Sequence, residues 1–200
     1  MVTEDNSAEK YTHHVAAHED GLDATVVETN QREPAVPKDT DKEVEAEIHS
    51  KLGTDKAIWL KRGLARDYDE FGTRGHVDIV ACFADANTIL FHNQENPEHP
   101  DFEISQEVKA TLEAAGDFKL IPVAAPQALR DDEGFVDYSY INHYVVNGGV
   151  ILCGFGDAND GRAVATLQSV YPDREIVLVD ARPLFARGGG IHCITQQQPA

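Results

Sequence analysis

The sequence predicts an α/β fold built by repeating one unit: two antiparallel strands, a helix, and a further strand. Three observations carry this. Short β-branched runs with period-2 alternation are separated by single helical stretches. Asn147-Gly148, set between two apolar runs, is a strong type I′ hairpin signal. The hairpins opening near His76 and Tyr140 stand about 65 residues apart, and each is followed by a helix and a strand. Repetition of such a ββαβ unit points to radial assembly, in which each copy buries its apolar face on its neighbours.

Taken in order, residues 1–22 are polar, mixing Glu4, Asp5, Glu9 and Glu19 with His13, His14 and His18. No period emerges there, so they read as a solvated, disordered tail, and the folded domain as residues 23–200. Ala24–Val27 is a short strand, the remnant of a first hairpin. Asp39, Thr40 and Asp41 offer caps for a helix through Glu43–Ile48, which Gly53 stops. Ala57–Leu60 follows as a strand. A polar loop with Asp67, Asp69 and Glu70 leads to a strand from Gly75 to Phe83, in which alternation puts His76 and Asp78 on one face and Val77 and Ile79 on the other. Asp85-Ala86-Asn87 turns this strand into Thr88–Phe91. Ser105 caps a helix reaching Ala115, and Phe118–Val123 is the next strand. The second complete unit has strands at Tyr140–Val146 and Val150–Cys153, a helix bearing Val164, Leu167 and Val170, and a strand at Glu175–Val179.

Composition narrows the function. Two hundred residues suffice for one sizeable core, and a formal net charge of −18 argues against nucleic acid or anionic membrane as partners. A small cation is drawn in by the same field. No run approaches the length of a transmembrane span, and the first residues lack the features of a signal peptide. Cys82, Cys153 and Cys193 are odd in number and lack metal-type spacing, which fits a reducing cytoplasm and no metal site.

Chemistry concentrates in two stretches. At the end of the chain, Gly188-Gly189-Gly190 precedes Ile191-His192-Cys193-Ile194-Thr195 and three glutamines. A cysteine just past such a turn is a candidate nucleophile, although free cysteine is also a common small core residue. His76 and Asp78 supply a base and a carboxylate, giving a Cys/His/carboxylate set. In an extended strand His192 points away from Cys193, which makes it a packing residue. Cys82 and Cys153, mid-strand among apolar neighbours, read as inert core.

These two stretches, together with Ile58-Trp59-Leu60, Arg62-Gly63-Leu64, Ser139-Tyr140-Ile141-Asn142, Asn147-Gly148-Gly149-Val150-Ile151 and Phe155-Gly156-Asp157, resemble the agmatine deiminase family, guanidine-modifying enzymes of the pentein α/β-propeller fold. The likeness runs from about Glu43 to Ala200 and implies the C-terminal half of such a protein, about two and a half of five propeller blades. It implies hydrolysis of agmatine to N-carbamoylputrescine and ammonia through a covalent intermediate, without a cofactor. Cys193 falls on the nucleophile, His76 on the general acid/base and Asp78 on a guanidinium-binding carboxylate. Gly189 and Gly190 fall where the backbone passes close to the substrate, and Asp69 and Glu70 where a loop meets its distal amine. A neighbouring cation is expected to lower the Cys193 pKa. The other reading, from a different class, is a truncated and inactive pentein module with a structural or partner-binding role. Unpaired strand edges make a homo-oligomer a further expectation.

Overall fold

The computed structural model describes the backbone of residues 14–17, 24–29, 39–69 and 72–196, with side chains from residue 42 onward. Three three-stranded sheets follow one another along the chain. The first contains β1 (His14–Ala17), β2 (Ala24–Thr29) and, after helix α1 (Asp39–Leu52), β3 (Lys56–Leu60). The second contains β4 (Ala81–Asp85), β5 (Thr88–Asn93) and, after α2 (Asp101–Ala115), β6 (Lys119–Ala124). A two-stranded hairpin, β7 (Arg130–Asp131) and β8 (Gly134–Phe135), intervenes. The third contains β9 (Tyr144–Val146), β10 (Gly149–Gly154) and, after α3 (Asp160–Val170), β11 (Glu175–Asp180). A short helix α4 (Arg182–Phe185) leads to the C-terminal residues.

In each sheet the first two strands pair antiparallel and the third adds parallel to the second. Only a crossover can return a chain to parallel pairing, and the helix of each unit supplies it. The tight turns follow local chemistry. Gly148 takes φ +80° between β9 and β10 but Asn147 does not take positive φ, so the turn is not the type I′ expected; Asp85 Oδ1 accepts the Asn87 N–H at 2.8 Å between β4 and β5. Helix α2 buries Ile104, Val108 and Leu112, one per turn, and lies across β3 and β5. Strand β5 is buried from Thr88 to His92, as befits a central strand covered on both faces. One continuous core runs from Leu60 and Leu64 through Ile89, Leu90 and Leu112 to Leu152 and Leu167, each of which stabilises by about 1.5–3 kcal/mol. No helix among the described residues is long and apolar enough to cross a membrane.

Several expectations are corrected. The strand expected from Gly75 starts only at Ala81, because Val77–Ile79 forms a 3₁₀ turn. Alternation therefore does not apply there: Val77, Asp78 and Ile79 are all buried, and His76 is half-buried. Strand β9 likewise begins at Tyr144 rather than Tyr140. Ser105 lies inside α2, where its Oγ accepts the Gln94 N–H at 2.9 Å, while the helix starts after Pro100 with Asp101 and Glu103 in its first turn. Within the stretch expected as a disordered tail, His14–Ala17 is a strand paired with β2; the rest of residues 1–22 lies outside the described residues.

Candidate active site

The site is built where three segments meet: the turn before β4, the segment before β9, and the turn that follows α4. Asp67 organises the approach to the first of these. Its buried carboxylate accepts the N–H groups of Thr73 (2.7 Å), Gly75 (2.5 Å) and His76 (3.1 Å), and the Thr73 hydroxyl at 2.7 Å. Ser139 then ties the second segment to the first, donating to the Ile79 carbonyl at 2.7 Å. The C-terminal turn is held by aromatic packing. Phe155 stacks on Tyr138 with ring centroids 4.6 Å apart and meets Phe185 of α4 at 5.2 Å.

Four side chains converge. Asp78, 1% exposed, places Oδ2 2.8 Å from His192 Nδ1 and 3.2 Å from Cys193 Sγ. Asn142, fully buried, donates from Nδ2 to Cys193 Sγ at 3.3 Å and to the Asp78 carbonyl at 3.2 Å. Its Oδ1 accepts the His192 N–H at 2.9 Å. Backbone N–H groups and carbonyls thus hold the amide in one orientation, with its donor toward the sulfur.

The two glycines are required by closeness to these groups. A Cβ on Gly190 would stand 2.4 Å from Asn142 Oδ1 and 2.8 Å from Phe185, and one on Gly189 would stand 3.0 Å from Cys193 Sγ. The nearest neighbours of the glycine run are therefore the site's own side chains.

Cys193 is exposed as a residue, yet its sulfur is packed between Asp78 and Asn142. Burial and the adjacent Asp78 charge push the thiol up to about 12, against the pull of N–H groups from Gly190 and Asn142. The lowering expected from the sequence was tied to a neighbouring cation, and the groups acting on this thiol include none: the nearest charge is that of Asp78. Cys82 and Cys153 are buried and also pushed up to about 12, chiefly by burial.

Of the residues singled out from sequence, Asp78, Cys193, Gly189 and Gly190 come together. His76 stands two residues before Asp78, at the head of its turn, and the side chains hydrogen-bonded to Cys193 among the described residues are Asp78 and Asn142. Asp69 is exposed and lines a cavity of about 320 Å³ that also borders Arg66, Asp137 and Gly188. Glu70 lies outside the described residues. His192 and Asn142 were missed as parts of the cluster. His192 was set aside because an extended strand points neighbours apart, whereas His192–Ile194 is a 3₁₀ turn in which neighbours are only about 120° apart. A lone Asn in the apolar run Tyr140-Ile141-Asn142 was the available signal for the other. No group of three or more His, Cys, Asp or Glu among the described residues is placed to hold a metal ion.

A Streptomyces coelicolor protein provisionally named agmatine deiminase is 56% identical over 163 residues, covering 78% of this chain and 48% of that protein. A Streptomyces avermitilis protein with the same provisional name is 50% identical over 196 residues, covering 92% and 56%. The structure of an agmatine deiminase from Enterococcus faecalis superposes with a TM-score of 0.76 at 28% identity, covering 95% of this chain and 56% of that one. The chain spans about half the length of the relatives it matches. A sequence model for Porphyromonas-type peptidyl-arginine deiminases matches residues 22–199, a span that takes in both Asp78 and Cys193. Fold, relatives and the meeting of these two residues agree: the chain belongs to the Porphyromonas-type peptidyl-arginine deiminase family.

Proposed function

We propose that this chain carries the nucleophile-bearing part of an agmatine deiminase, which hydrolyses the guanidinium of agmatine to N-carbamoylputrescine and ammonia. The observation that carries the reading is the 3.2 Å contact between Cys193 Sγ and the buried Asp78 carboxylate. A buried carboxylate beside a thiol is a poor arrangement for the free enzyme, since it holds the sulfur protonated. It becomes a good one when a planar cation docks on the carboxylate. The incoming charge offsets that of Asp78, favours the thiolate, and brings the guanidinium carbon to the sulfur.

In this reading Cys193 attacks that carbon, a C–S bond forms, and the C–N bond breaks as ammonia leaves with a proton from His76. His76 then deprotonates a water, which adds to the same carbon. The C–S bond breaks, returning Cys193 and releasing the urea product. His192 keeps Asp78 in place, Gly189 and Gly190 let the loop close on the site, and the distal ammonium is assigned to Asp69 and Glu70 as the resemblance implies. The mechanism uses no cofactor.

The three sheets fit three blades of a five-bladed propeller, rather than the two and a half expected, with residues 23–200 as the catalytic part of it. The acidic charge and the reduced cysteines favour a cytoplasmic setting. Alone, the chain is expected to turn over agmatine slowly, because a guanidinium held by one carboxylate rocks out of line, and about 1 Å of misplacement costs on the order of 100-fold. The test is ammonia release from agmatine by the 200-residue chain and by a form extended with the N-terminal half of a relative, each beside its Cys193→Ser variant. Turnover by the extended form that depends on Cys193 is the expected result. A folded, extended form that leaves agmatine intact overturns the reading.

A further inference from the structure

We propose that Asn142 is a positioning residue for the nucleophile: its buried amide fixes the sulfur of Cys193 and supplies the N–H that stabilises the thiolate once the thiol proton has left. This deepens the reading above and rests on it for the role of Cys193, but its test needs no turnover.

Three observations carry the assignment. The first is burial, since Asn142 is 0% exposed and its amide has no access to water as an alternative partner. The second is orientation. The His192 N–H at 2.9 Å requires an acceptor, which assigns Oδ1 to that side. Nδ2 therefore faces the Asp78 carbonyl at 3.2 Å and Cys193 Sγ at 3.3 Å, both acceptors. The reverse orientation would set two N–H groups against each other and leave two acceptors facing an oxygen. The third is anchorage on both sides. The Asn142 carbonyl accepts from Cys153 Sγ at 3.0 Å and from the His192 N–H at 3.3 Å, so the backbone behind the amide cannot drift.

The electrostatic surroundings give this N–H its consequence. Cys193 faces Asp78 from the turn before β4, and that charge opposes ionisation. His192, on the cysteine's own turn, is engaged with Asp78 rather than with the sulfur. His143, next to Asn142, is buried and held down to about 4, so it is neutral near pH 7 and offers no positive charge. Cys82 and Cys153 are buried thiols. The groups that favour the thiolate are the Gly190 N–H and the Asn142 amide, and only the second is a side chain. A thiolate accepting an N–H is stabilised relative to the thiol, so the amide has little effect on the resting state and a large one on the attacking state.

The test follows alkylation of Cys193 by iodoacetamide from pH 7 to 10 in the full chain, with the modified peptide identified by mass. Asn142→Asp keeps an oxygen for the His192 N–H but replaces the donor with a carboxylate; Asn142→Ala removes donor and acceptor together, leaving the His192 N–H only the residue 142 carbonyl. Cys193 should react about tenfold more slowly at a given pH in Asn142→Asp, as expected for a rise of about one pH unit, and a few-fold more slowly in Asn142→Ala. Rates equal to the parent chain across that range, in variants that retain its circular dichroism, overturn the proposal, because a merely structural peg alters melting and leaves the pH profile alone. If neither variant folds, the parent chain decides. Its Asn142 side-chain amide resonances must shift when Cys193→Ala removes the sulfur acceptor, and unmoved resonances overturn the assignment. A slowed alkylation in a chain whose extended form ignores agmatine would retain Asn142 in this role and discard the substrate.

Discussion

Asp78 Oδ2 and Cys193 Sγ lie 3.2 Å apart although 115 residues separate them in sequence. The contact couples a carboxylate that seeks a cation to a thiol that needs one. Removing the carboxylate should therefore have opposite effects on two measurements. Asp78→Asn should speed alkylation of Cys193 by neutral iodoacetamide at pH 8 by about tenfold or more, because the charge that raises the thiol pKa is gone. In the extended, active form it should abolish agmatine hydrolysis. Unchanged alkylation in the variant would mean that Asp78 does not govern this sulfur.

In the glycine run, Gly190→Ala should destabilise the chain by about 2 kcal/mol, since its methyl would stand 2.4 Å from Asn142 Oδ1 and 2.8 Å from Phe185. Gly189→Ala, whose methyl meets Cys193 Sγ at 3.0 Å, should cost less stability and more Cys193 reactivity. Gly161→Ala is the control: it lies in α3 with nothing within 4 Å, and should stabilise by about 0.5–1 kcal/mol. Urea titrations of the three variants read this order directly.

Arg74 is the one non-glycine residue with positive φ, at +68°, among the described residues. It is exposed, so no packing offsets the crowding of its Cβ against its own backbone. Arg74→Asn should stabilise by about 0.5 kcal/mol, since Asn tolerates this conformation better. A loss of stability in equilibrium unfolding would show that the Arg74 side chain contributes more than its backbone costs.

Burial and the neighbouring Asp137 and Asp67 charges raise Asp101 to about 7, and burial with Asp67 raises Asp137 to about 6. A carboxyl whose folded value is raised favours folding below its unfolded value and loses that contribution as pH rises through the folded one. The two residues should thus weaken the fold progressively between about pH 4 and 7. Asp101→Asn, which keeps an oxygen for the Ala65 N–H, should be more stable than the parent at pH 8, with the gap closing by pH 5. A gap that is constant with pH would place the effect elsewhere.

Most of the architecture was legible in the sequence because it follows from local rules. The Asn147-Gly148 turn, the one-per-turn apolar residues of α2 and the β-branched strands each settle their own conformation within a few residues, and the parallel third strand follows from the helix before it. The cysteine and its glycine run stood out by residue type, but a free cysteine is also a common small core residue, so local sequence did not settle which role it takes.

What the sequence alone determined was thus the repeated hairpin, helix and strand, and the residue types that the chemistry needs. What only the tertiary structure decided was their geometry around the sulfur. Period-2 alternation assigned His76 and Asp78 to one face and turned His192 away from Cys193, yet both stretches are 3₁₀ turns. Those turns exist because contacts from far along the chain stabilise them: Asn142 and Asp78 receive His192 and Cys193, and Asp67 gathers the N–H groups of residues 73, 75 and 76. Short segments of three residues have too little local preference to choose between strand and turn, so the partners they meet choose for them.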